Sequence, residues 1–72
     1  MTFIIKTVDE LAHAARSRRR ELGLSQQALA DVIDVHRAFI IQFEQGKSSV
    51  RLDLVLRLVQ ALGMDVELRV RQ

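Results

Sequence analysis

The sequence predicts an all-α domain of four helices followed by one short C-terminal β-strand. Apolar residues recur at i, i+3 and i+4 through four separate segments, which is the spacing of one helix face. Gly23, Gly46 and Gly63 stand between or after these segments as stops. After Gly63 the period changes to two: Met64, Val66, Leu68 and Val70 alternate with Asp65, Glu67, Arg69 and Arg71, as in a half-buried strand.

The first helix starts from a capping box, Thr7 with Glu10, whose hydroxyl and carboxylate satisfy amides left free at a helix start. It runs to about Leu22, with Val8, Leu11, Ala12, Ala15 and Leu22 on its apolar side, and Arg16, Arg18 and Arg20 free to face solvent or phosphate. Gly23 takes the left-handed conformation that ends it. Ser25 caps a short second helix, in which Ala28, Leu29, Val32 and Ile33 share one side. Asp34 falls where the chain must turn through positive φ, which Asp tolerates better than most residues. The third helix spans about Arg37 to Gln45. Ile40 and Phe43 point inward, while His36, Arg37, Ala38, Ile41 and Gln42 face mostly outward. Two short helices joined by a tight turn have the spacing that pushes one helix end into a DNA groove.

From Arg51 to Leu62 a fourth helix carries two apolar stripes. Leu52, Val55, Leu56, Val59 and Leu62 form one, and Leu54, Leu58 and Ala61 the other; one is core and the other asks for a partner. A lone strand after Gly63 is unstable, so the expectation is a sheet made with a twofold mate, with Leu54, Leu58, Val66, Leu68 and Val70 in the dimer interface. Phe3 to Ile5 would add a short strand to that sheet. Residues 1–63 are then the helix-turn-helix domain and residues 64–72 a dimerisation strand.

Composition agrees with a dimer. A chain of 72 residues buries only about 60% of its unfolded surface, so a monomer is marginal. Yet 49% of the residues are hydrophobic, more than a single small core needs, and there is no cysteine to staple it. The surplus points to a subunit interface. Without cysteine there is neither a disulfide framework nor a thiolate metal site, and His13 and His36 lack ligand-like spacing, so no metal and no cofactor are expected. The N-terminal apolar run is too short for a signal peptide and runs into acids, and no segment approaches the length of a membrane span; the expectation is a soluble, cytoplasmic protein. The net charge is only +2, but five arginines fall between Arg16 and Arg37, and it is this placement that suggests a nucleic acid. Catalysis is not expected. Ser25 is accounted for as a cap, no Gly-rich phosphate loop is present, and the chain is too small for a large preformed pocket.

Residues from about Leu11 to Gly63 resemble the Cro and phage-repressor (XRE) type of helix-turn-helix family, through RRRELGLSQQALA, IIQFEQGK and RLDLVLRLVQALG. The resemblance implies a four- to five-helix lambda-repressor-like domain that binds double-stranded DNA at an inverted repeat as a homodimer. It pairs Arg19 of the first helix with Glu44 near the end of the third, a bidentate bridge that would fix the two helices together. It sets Gln26 against a backbone phosphate, close to Gln42 or to the start of the third helix. His36, Arg37, Ala38 and Ile41 match the positions turned to base edges, and Lys47 and Ser48 those that meet phosphate from the following loop. Of these Arg37 is the strongest reader, because a guanidinium fork matches guanine O6 and N7; Ala38 and Ile41 could read only a thymine methyl.

The chain departs from the family pattern at three places. His36 stands where Ser or Thr usually caps the third helix, Asp34 replaces a common Gly in the turn, and Ile41 occupies a position that is often small and polar. Ile41 is either an apolar base contact or a weakening of phosphate binding. The tail DVELRV resembles that of HipB-like antitoxins, which implies a repressor of its own operon that also holds a HipA-like serine/threonine kinase toxin. A stand-alone regulator is the alternative. So is a protein-interaction module that docks through Phe39 and Ile41, with the arginines serving only solubility.

Overall fold

Two of the four helices begin at a side-chain cap, and all four end where the turning backbone returns hydrogen bonds to their last carbonyls. The computed structural model describes residues 1–72 and contains four helices: α1, Val8–Glu21; α2, Gln26–Ile33; α3, Arg37–Glu44; and α4, Leu52–Ala61. Thr7 Oγ1 accepts from the Glu10 amide at 3.1 Å, and the Glu10 carboxylate in turn accepts from the Lys6 amide at 3.2 Å. Ser25 Oγ accepts from the Ala28 amide at 3.0 Å. His36 and Arg51 precede α3 and α4 without a side-chain cap.

At all four C-termini the chain passes through a left-handed residue, Gly23, Asp34, Gly46 or Gly63. The amide after it then returns to a carbonyl five residues back: Leu24 to Arg19, Val35 to Ala30, Lys47 to Gln42, and Met64 to Val59, all at 3.0–3.1 Å. Asp34, at φ 58° and ψ 55°, performs in the α2–α3 turn what glycine performs elsewhere. Gly46 has a second constraint, because a Cβ there would sit on Asp9 Oδ1 of α1.

The core gathers Ala15 of α1, Leu29, Ala30 and Ile33 of α2, Ile40 and Phe43 of α3, and Val55, Leu58, Val59 and Leu62 from α4 and its end. Phe39 is half-buried against this cluster and stacks on Phe43 one turn later, with centroids 6.4 Å apart. On α1 the buried face is Ala12, Ala14, Ala15 and Arg19, while Val8 and Leu22 are exposed. On α2 Ala30 is buried and Val32 is 65% exposed. The α4 core draws one residue, Leu58, from the stripe expected to face outward, and leaves Leu52 and Leu56 of the other exposed. Leu58, expected in a subunit interface, is therefore spent inside this chain's own core.

The expected C-terminal strand is absent, and with it the dimer sheet. Residues after Gly63 form no regular element, Val66, Leu68 and Val70 are 57%, 98% and 88% exposed, and residues 1–6 form no strand either. Alternation determines which side chains would share a face; it supplies no neighbour for the backbone. The fold is all-α, without the β element. No helix is long and apolar enough to cross a membrane.

Candidate nucleic-acid interface

The orientation of α3 is held by a buried ionic hub. Arg19 donates from Nε to Glu44 Oε2 at 2.7 Å and from Nη2 to Oε1 at 2.9 Å, and its Nη1 donates to the Leu24 carbonyl at 2.8 Å. Gln26 Nε2 donates to Glu44 Oε1 at 3.2 Å, and Arg16 Nε stands 4.0 Å from the same oxygen. The Arg19 and Glu44 side chains are 9% and 5% exposed. Burial by itself pushes the Glu44 carboxyl up. The hydrogen bonds from Arg19 and Gln26, with the charges of Arg19 and Arg16, outweigh it and hold the group below the usual carboxylate range. One carboxylate at the end of α3 thus ties together the last turns of α1, the α1–α2 loop and the first residue of α2.

Beside this hub lies an open cleft lined by Arg16, Arg19, Arg20, Ser25, Gln26, Gln27 and Arg37, with no apolar side chain and no acid. Because Ser25 caps only the Ala28 amide, the Gln26 and Gln27 amides at the start of α2 have no partner within the chain. Free amides at a helix start carry partial positive charge, which adds to that of the guanidinium groups.

A second groove runs along the other flank of α3, lined by Asp34, Val35, His36, Ala38, Phe39, Gln42, Arg51, Leu54 and Arg57. The exposed side of α3 is therefore a ridge between two hollows: Arg37 borders the arginine cleft, and His36, Ala38 and Gln42 border the second groove. His36, Arg37, Ala38 and Gln42 are exposed, and Ile41 is half-buried. Lys47 Nζ reaches back to Gln42 Oε1 at 3.4 Å, which places its charge beside the ridge; Ser48 is exposed in the loop beyond. Leu54, expected in a dimer interface, is half-buried along the second groove.

The arginine run of α1 divides its labour by helical position. Arg19 points inward to Glu44. Arg18 donates to the Leu62 carbonyl at 3.0 Å and pairs with Glu21 at 2.7 Å, clamping the end of α1 to the end of α4. Arg57 of α4 similarly holds the Ile33 carbonyl at the end of α2. Arg16 and Arg20, expected to be free for solvent or phosphate, line the cleft, as does Gln27, for which no role was expected; Arg18, expected to be free with them, is bonded within the fold instead. The signal was in the spacing: Arg16 and Arg20 stand four apart, hence one above the other, once Arg19 is taken as the inward position.

A short helical pair whose second member rises as an exposed ridge, next to a cationic cleft at the start of the first, defines the class of small DNA-binding domains. A family model described as Helix-turn-helix matches residues 16–68, and the chain belongs to this helix-turn-helix family of DNA-binding transcriptional regulators. It is 44% identical over 50 residues to an uncharacterised HTH-type transcriptional regulator of Methanothermobacter thermautotrophicus, covering 69% of this chain and 72% of that one. It is 34% identical over 64 residues to y4mF, an uncharacterised HTH-type transcriptional regulator of Sinorhizobium fredii, covering 89% and 84%. Among solved structures it is similar to a HipB variant in a complex with an O2 20mer, at a TM-score of 0.91 and 25% identity over all of both chains. It is also similar to a chain of a HipA–HipB–O2–O3 complex, at a TM-score of 0.90 and 25% identity over 99% of this chain and 100% of that one.

Proposed function

We propose that the protein is an operator-binding repressor that acts as a homodimer and serves as the antitoxin of a HipBA-like module, holding a HipA-like serine/threonine kinase toxin. The observation that carries the DNA reading is the α3 ridge flanked by a cleft of four arginines without an acid. Two copies would set their α3 helices into successive major grooves about 34 Å apart over an inverted repeat. Arg37, on the first turn of α3, would grip a guanine edge, a contact worth about 1 to 3 kcal/mol of discrimination. Ala38 and Ile41 would meet a thymine methyl, and His36 and Gln42 would border the same base edges. Gln26, Lys47 and Ser48 would meet phosphates and fix the register. Gln26 spends one amide hydrogen on Glu44 and keeps the second for a phosphate. The antitoxin role is supported by full-length similarity to chains of HipB and HipA–HipB complexes.

The test is a mobility-shift titration on the protein's own promoter region with the parent, Arg37→Ala and Gln26→Ala. Arg37→Ala should lose preference for the promoter over a scrambled duplex, whereas Gln26→Ala should weaken both. If both variants bind like the parent, these residue roles are wrong. Copurification of an adjacent-gene kinase supports the antitoxin role; operator binding with no such partner leaves a stand-alone regulator.

A further inference from the structure

We propose that α1 makes a DNA contact of its own, with Arg16 and Arg20 holding one stretch of phosphodiester backbone beside the groove that α3 enters. This rests on the operator-binding reading above. The arginines of α1 that serve the fold are visibly bonded: Arg18 to Leu62 and Glu21, Arg19 to Glu44 and Leu24. Arg16 and Arg20 are not bonded in this way. Arg16 reaches the Glu44 carboxylate only at 4.0 Å, with 48% of its side chain exposed, and both oxygens of that carboxylate are already engaged by Arg19. Arg20 is exposed and has no acid within ion-pair distance; the same is true of Arg37 at the far side of the cleft.

Like charges four residues apart on a helix repel by a few tenths of a kcal/mol, and within the chain only the Glu44 carboxylate, already engaged by Arg19, stands near Arg16, at 4.0 Å. A cleft with no apolar lining offers nothing to a hydrophobic ligand, and its chemistry suits an anion with several acceptor oxygens. The start of α2 and Gln26 occupy the same cleft, so a strand that meets Gln26 also passes the Arg16 and Arg20 side chains. The contact is to backbone and carries no sequence information.

The experiment is a titration of the full-length protein on its promoter duplex and on a scrambled duplex of equal length, over a range of potassium chloride concentrations. Relative to the parent, Arg16→Gln/Arg20→Gln should lower the slope of log K against log salt by about 2 per subunit, since each phosphate contact contributes about 0.9. Affinity should fall by the same factor on both duplexes, leaving their ratio unchanged. Arg16→Lys/Arg20→Lys should restore the slope, which a role resting on guanidinium geometry in the fold would not do. An unchanged slope in the Gln variant overturns the α1 contact, and so does a collapse of the promoter-to-scrambled ratio. If the parent itself binds neither duplex, the operator-binding reading has failed and takes the contact with it.

Discussion

Replacing Glu44 by Gln keeps the shape of the hub and removes its charge. The Arg19 guanidinium would then remain 9% exposed, with the Leu24 carbonyl and one amide oxygen as acceptors in place of a bidentate carboxylate. Breaking one partner out of a buried ion pair costs about 3 to 5 kcal/mol, because the other charge stays buried uncompensated. The retained amide acceptor puts this substitution near the lower end, at about 3 kcal/mol. A domain of this length has a total stability of about 4 to 11 kcal/mol, so about a quarter to three quarters of the margin would go. At about 4 to 8 °C per kcal/mol, thermal unfolding followed by circular dichroism should show a fall in Tm of about 12 to 24 °C. The paired replacement Arg19→Met/Glu44→Leu should cost less than either single change, since it buries no stranded charge. Additive effects in that double-mutant cycle, or a loss below about 1 kcal/mol for Glu44→Gln, would refute the claim that the hub holds α1, α2 and α3 together.

Stability should also depend on acid in a defined way. The Glu44 carboxyl is held below its ordinary value in the folded chain, so its contribution is complete above the unfolded value near 4.3 and is lost as pH falls through the lower folded value. Urea midpoints measured between pH 5 and pH 2 should fall less steeply for Glu44→Gln than for the parent. Gly46→Ala should lose about 1 to 2 kcal/mol, because φ +84° strains any L-residue. Adding Asp9→Ala should recover only the steric part, since the backbone strain persists, and thermal melts of the three proteins separate the two effects. His36→Ser should raise stability by about 1 kcal/mol, as Ser can cap α3 where His36 makes no side-chain bond, and the gain should appear as a rise in Tm of several degrees.

Punctuation was the most legible part of the fold. Thr7, Ser25, Asp34 and the three glycines act within a few residues of themselves, so their chemistry can be read without knowing what packs where. Faces were less legible. On α4 two apolar stripes interleave at the same spacing, and the choice of Val55, Leu58, Val59 and Leu62 as core is made by α2 and by the end of α1, which lie far away in sequence. On α1 a buried Arg19 beside an exposed Leu22 inverts the rule that apolar residues go inside, because a carboxylate twenty-five positions away offers a better partner than solvent. The tail was misread for a related reason. A period of two is a property of one strand, whereas a strand exists only with a second edge to pair with, and no segment of this chain supplies one.

The same hub that fixes the helices also sets the charge of the cleft. Arg16, Arg19, Arg20 and Arg37 bring four positive charges to one opening, and Glu44, from behind it, neutralises the one that lies deepest. A buried guanidinium without that partner would leave the fold with an unpaired charge and the cleft with one more cation than it can present to solvent. With the pair formed, Arg19 is spent on architecture while Arg16, Arg20 and Arg37 keep their heads at the surface. Gln26 joins the two functions, because one of its amide hydrogens completes the Glu44 shell and the other is left for the opening. On the proposed reading, folding and anion binding would draw on one set of residues, with the charge that packing requires satisfied internally and the remaining guanidinium groups left at the opening.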